Sequence, residues 1–138
     1  MKGDTIRYKS GYKYQLVKTY SLQTEIYPER YILTPFICLT VEGVLTIWEW
    51  YAWDGASGPT IDTPSSMRAS LVHDALYQLM RLGLLDQKCR QEVDVLFRDI
   101  CLEDEMNRLR ADVWYGCIRL FAAGAAKRGT ENPILTAP

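Results

Sequence analysis

Histidine is nearly absent: His73 is the only one among 138 residues. Cysteine is sparse and poorly spaced for a metal. Cys38, Cys89, Cys101 and Cys117 contain no C-x-x-C pair, and a lone histidine cannot complete a Cys/His zinc set. Each cysteine lies in an apolar periodic segment, where a free thiol behaves as a small buried hydrophobe. Reduced, buried thiols are therefore expected over two disulfides, and with them synthesis in a cytoplasm. No excess of one charge exists, since 16 Lys and Arg stand against 17 Asp and Glu. Without a basic field to gather phosphates, nucleic acid is not expected as a partner. No apolar run reaches the roughly 18 residues that a membrane-spanning helix needs. Met1-Lys2-Gly3-Asp4-Thr5-Ile6-Arg7 carries no signal-peptide core, so neither a transmembrane segment nor secretion by the ordinary route is expected.

What is present suits one domain of 138 residues with a single core. Residues 1–53 are β-rich. Tyr12 to Tyr20 is aromatic and β-branched; Tyr31 to Thr40 is interrupted by Pro35, which suggests an edge strand or a bulge. Glu42-Gly43 reads as a hairpin turn into a strand from Val44 to Trp53. Strand alternation would place Trp48 and Trp50 on one face, as core, as the cover of a small sheet, or as an aromatic surface for headgroups or a partner. Residues 54–64, beginning Asp54-Gly55-Ala56-Ser57-Gly58-Pro59, form a loop of small residues and turn formers.

Residues 65–124 read as a helical core and 125–138 as a tail without periodicity. A first helix is expected from Ser66 to Leu82, stopped by Gly83, with Val72, Leu76, Leu79 and Met80 inward. Asp86 would cap a second helix through Leu102, with Val93, Leu96, Phe97 and Ile100 inward. A third should span Glu105 to Ala123, with Leu109, Val113, Tyr115, Ile118 and Phe121 as its candidates for burial. The fold class is α+β: a small antiparallel N-terminal sheet followed by three helices.

The chemistry lies on the first two helices and the loop. His73 and Tyr77 are four apart and share a helix face, whereas Asp74 points about 100° away. Asp94 is the only carboxylate within the second helix's apolar stripe; Glu92 and Asp99 look solvent-facing. A buried Asp beside a His fixes the imidazole tautomer and stabilises the imidazolium. Asp54, a carbonyl near Gly55 and Asp74 offer hard oxygen ligands, which suit calcium better than zinc. Against this stands the plain alternative that a lone helical histidine is a hydrogen-bonded structural residue. Arg119 and Asp112 read as an internal ion pair or a partner contact, and Arg108 and Arg110 as a solvated face.

The motifs resemble those of the secreted bacterial and fungal phospholipases A2, which carry D-G-C-S, C-x-x-H-D-x-x-Y, I-D-x-x-F and A-x-x-Y-Y-x-A-V-R-x-F-G. The matching blocks are Asp54-Gly55-Ala56-Ser57, Ser70-Leu71-Val72-His73-Asp74-Ala75-Leu76-Tyr77, Val93-Asp94-Val95-Leu96-Phe97 and Ala111 to Phe121, in order over residues 53 to 124. The chain more closely resembles a family of phage and prophage proteins with D-G-A-S-x-P and H-D-x-L-Y motifs and β-rich N-terminal parts. The phospholipase resemblance implies a phospholipase A2-like helical core, His73 as general base, Asp94 as its orienting partner and Tyr77 as support. It also implies calcium held by Asp54, Asp74 and a carbonyl near Gly55, with Ser57 fixing the loop. Two half-cystines of the secreted enzymes fall on Ala56 and Ser70, which fits an intracellular or particle-borne protein.

Two functional expectations follow. One is a phage-encoded, virion- or tail-associated, calcium-dependent hydrolase acting on ester or amide bonds of the host envelope. The other is a structural tail or particle component that uses the fold for assembly or host contact, with other particle proteins as partners. An unpackaged cytoplasmic hydrolase is a third option.

Overall fold

The structure, a computed structural model, describes residues 6–8, 14–53, 63–127 and 135–137. It is α+β: small antiparallel sheets in the N-terminal part, then helices. In chain order come β1 (Ile6–Tyr8), β2 (Tyr14–Gln15), β3 (Tyr20–Gln23), β4 (Ile32–Leu33), β5 (Ile37–Leu39), β6 (Val44–Ile47) and β7 (Ala52–Trp53). Then follow α1 (Pro64–Arg81), a 3-10 turn at Gln87–Cys89, α2 (Arg90–Glu103), α3 (Arg108–Phe121), the short α4 (Ala123–Ala126) and β8 (Leu135–Ala137).

Where one N-terminal sheet is expected, two form. A four-stranded sheet runs β3-β6-β5-β4, and β2 pairs separately with β7. The split follows from the chain after Ile47. Instead of continuing as a strand to Trp53, it turns at Trp48–Tyr51, with Trp50 at φ +77° and its N–H donating to Leu16 O. Trp48 and Trp50 therefore do not form a core face. Trp50 is 52% exposed, and the inward positions are Leu45, Ile47, Tyr51 and Trp53. Register stacks Leu22, Leu45, Leu39 and Ile32 in one cross-strand row and Tyr20, Ile47 and Ile37 in the next, giving the sheet one apolar face. Glu42-Gly43 does turn β5 into β6. Gly43 lies at φ +89°, and a Cβ there would meet Thr24 O at 2.7 Å. Pro35 sits in the turn between β4 and β5 rather than in a bulge, and Thr34 closes that turn through Ile37 O.

α1 is the central element. Thr63 precedes it with its N–H on Ser66 Oγ, Pro64 occupies the first turn, and Gly83 at φ +73° ends it. Because the sheets and α2 pack around it, its burial runs nearly all the way round, from Ser66 to Met80. Leu76, Leu79 and Met80 are fully buried, contributing about 1.5–3 kcal/mol each. Arg68, near its start, ties the layers together: its guanidinium grips Asp104 with two bonds of 3.0 Å, reaches Glu103 at 2.8 Å and donates to Tyr20 Oη at 2.9 Å. Those carboxylates hold the Arg68 pKa above its ordinary value.

Asp86 caps the 3-10 turn through Lys88 N at 2.9 Å, and α2 buries Val93, Phe97 and Ile100, as expected; Leu96 is only partly buried. α3 buries Ile118, as expected, but not Leu109 or Val113, and Tyr115 is only partly buried; the side chain of Phe121 lies outside the described residues. Ala111, Trp114 and Ile118 are buried, whereas Leu109, Val113 and Leu120 are 72%, 57% and 77% exposed. The tail is not featureless, for β8 pairs antiparallel with β1, bringing Ile6 opposite Ala137. All four thiols are free. Cys38 and Cys101 are buried, and burial pushes Cys101 up to about 12; Cys89 and Cys117 are only half-buried. No described helix is long and apolar enough to cross a membrane.

Candidate active site

Three helices converge on one carboxylate. Asp94, from α2, has no exposed side-chain surface. Its Oδ1 accepts from Tyr77 Oη at 2.6 Å and pairs with His73 Nε2 at 2.8 Å, both partners standing on α1. Its Oδ2 accepts from Arg119 Nη1 of α3 at 2.8 Å, with Arg90 Nε of α2 at 3.8 Å. The four-residue spacing of His73 and Tyr77 brings their rings together at 4.0 Å between centroids. Phe97 closes the other side, edge-on at 5.4 Å. His73 is only 3% exposed, so the imidazole is held by packing as well as by its hydrogen bond.

An ionised Asp94 accepts and does not donate, so the proton on that bond belongs to His73 Nε2. The other ring nitrogen, Nδ1, is then the one able to take a proton. It faces Asp74, whose Oδ1 lies 4.0 Å away, an ion-pair distance rather than a hydrogen bond. Asp74 is thus less separate from the imidazole than its 100° offset suggests: one carboxylate lies toward each ring nitrogen. Burial pulls the His73 pKa down, but Asp74 and Asp94 together outweigh it and leave it above its ordinary value. For Asp94, burial raises the pKa. The bonds from His73, Tyr77 and Arg119 overcome that and hold the carboxyl below its usual range. Burial, followed by the adjacent Asp94, pushes the Tyr77 phenol up, so it acts as a neutral donor.

No protein-family model, curated protein or solved structure matches the chain. The site's chemistry therefore rests on its own residues. Of the residues singled out from the sequence, His73, Asp94 and Tyr77 form one bonded cluster, with Asp74 beside it. Glu92 and Asp99 are exposed, as expected. Asp54 and Gly55, the remaining candidate calcium ligands, lie outside the described residues, as does Ser57. Among the described residues no group of three or more His, Cys, Asp or Glu is arranged to hold a metal.

Three arginines change the picture. Arg119 pairs with Asp94 and not with Asp112, which instead meets Arg98 at 2.8 Å. Arg110 lies over the Trp114 ring, 5.0 Å from its centroid, so it is not merely solvated. Arg90 was not signalled by any motif. It donates to Tyr77 Oη at 3.0 Å and to the carbonyls of Ile118 and Arg119 at 2.9 Å each. A signal did exist in the sequence: a carboxylate in an apolar stripe needs charged partners, and Arg90 stands one helical turn before Asp94.

Proposed function

We propose that the chain is a hydrolase in which His73 is the general base. The single observation that carries this reading is the His73–Asp94 bond of 2.8 Å, which leaves Nδ1 as the protonatable nitrogen. In the reaction, Nδ1 takes a proton from water as the water oxygen attacks an acyl carbon. The positive charge that develops on the ring is met by Asp94 at Nε2 and by Asp74 near Nδ1. The same proton then passes from Nδ1 to the leaving oxygen or nitrogen as the acyl bond breaks. Tyr77 keeps Asp94 aimed at the ring. No serine or cysteine nucleophile enters this scheme.

Asp74 contributes one hard oxygen, and with Asp54 and a carbonyl near Gly55 it would hold calcium. When bound, that ion would polarise the substrate oxygen. An apolar groove of about 490 Å³ supports an ester with a hydrocarbon arm. It is lined by Leu16, Tyr20, Trp53, Met67 and Leu71, and Asp74 follows Met67 and Leu71 on the same helix face. We place the protein in the tail of a phage particle, acting on the host envelope; this rests on the motif resemblance alone.

The exposed row Leu109, Val113 and Leu120 favours a second reading, a particle component that uses α3 for assembly. The test is release of product from phospholipid vesicles and from peptidoglycan fragments, each with calcium and with a chelator. The hydrolase reading predicts release that chelator abolishes. No release from either substrate under either condition leaves the assembly reading.

A further inference from the structure

Asp94 could hold His73 in more than one way, because a carboxylate rotates about its last side-chain bond. Tyr77 restrains one oxygen, and a second restraint is on the opposite one. Arg119 Nη1 holds Oδ2 at 2.8 Å while Tyr77 and His73 occupy Oδ1. Arg119 is in turn fixed from behind. Arg90 forks to the carbonyls of Ile118 and of Arg119 itself, at 2.9 Å each, in the last turn of α3. There a cation also complements the helix dipole. Arg90 Nε reaches Tyr77 Oη at 3.0 Å, closing a ring of contacts through α1, α2 and α3.

We propose that Arg119 is a positioning residue: by holding Oδ2 of Asp94 it aims Oδ1 at His73 and fixes the imidazole as the Nε2–H tautomer, with Nδ1 toward Asp74. Its use to the protein rests on the hydrolase reading, since a base must present the same nitrogen at every turnover. The brace itself does not rest on it. Arg119 touches no reacting atom; it acts through Asp94 on His73.

The single histidine makes the test direct, because the whole chain carries one imidazole. In protein labelled with 15N-histidine, long-range proton–nitrogen correlations report which ring nitrogen bears the proton. They are read at a pH above which the two ring-nitrogen frequencies no longer change with pH. Wild type should show the Nε2–H tautomer. Arg119→Ala and Arg119→Gln should move the two ring-nitrogen frequencies toward each other as the Nδ1–H form appears, and Arg119→Lys should restore most of the wild-type separation. The Arg119 side chain is one-third exposed, so these changes open no core, and amide-proton dispersion verifies that each variant is folded.

An Nδ1–H tautomer in wild type would overturn the proposal without any variant, and so would unchanged ring frequencies in folded Arg119→Ala. Failure of the hydrolase reading is separable. A chain that releases no product yet shows this tautomer pattern keeps the brace and loses the hydrolase. One that releases product with Arg119→Ala frequencies unchanged loses only the brace.

Discussion

At the scale of single residues, Asp94 organises the site. It is a buried carboxylate whose four partners come from three helices, and removing it leaves His73, Tyr77 and Arg119 without their shared acceptor. Asp94→Ala should therefore lose about 3–5 kcal/mol in urea unfolding. The pH dependence has a definite sign. The Asp94 pKa is lower folded than unfolded, so its contribution is complete well above the unfolded aspartate value of about 3.9 and is lost as pH falls below it. Urea midpoints of wild type measured down the acid range should fall more steeply than those of Asp94→Asn, and parallel limbs would contradict the assignment. Much of this cluster was legible in the sequence, since His73, Tyr77 and Asp94 sit at helical spacing or in an apolar stripe. For Arg119 the sequence suggests Asp112, seven residues before it, as one possible partner, whereas the structure pairs it with Asp94. In space, Asp94 had the greater need for a cation.

At the scale of elements, α3 shows where periodicity stops deciding. Its apolar residues fall on two faces, one of larger aliphatics (Leu109, Val113, Leu120) and one with Ala111, Trp114 and Ile118. Choosing by aliphatic size finds Ile118 but also selects Leu109 and Val113, which are exposed. The Arg119–Asp94 and Arg98–Asp112 pairs, which tether α3 to α2, lie far along the chain from their partners and are invisible to a local pattern. Leu109→Ser and Val113→Ser should each change unfolding free energy by no more than about 0.5 kcal/mol. Trp114→Ala should cost about 3–5 kcal/mol, and equal effects from the two faces would reverse the assignment. The β5–β6 turn was legible because Gly43 is needed there: φ is +89°, and Thr24 O leaves no room for a Cβ. Gly43→Ala should cost about 1–3 kcal/mol in the same assay. The break after Ile47 was not legible, because alternating residues continue through a turn held by distant partners: the Leu16 backbone, the Gln15 amide and the Thr19 hydroxyl.

At the scale of the whole molecule, the α+β order could be read from the switch in hydrophobic period near residue 54. The division into separate sheets and the β1–β8 pairing could not, because pairing between distant strands leaves little trace in local composition. The architecture uses a central helix, covered by sheets and by α2, to carry a histidine between two carboxylates. The central claim is that this histidine is a working base. It is tested most directly by the hydrolysis rate of phospholipid vesicles in calcium for wild type and for folded His73→Ala. The account predicts a loss of about 10²- to 10⁴-fold in the variant. Equal rates in the two proteins would contradict it.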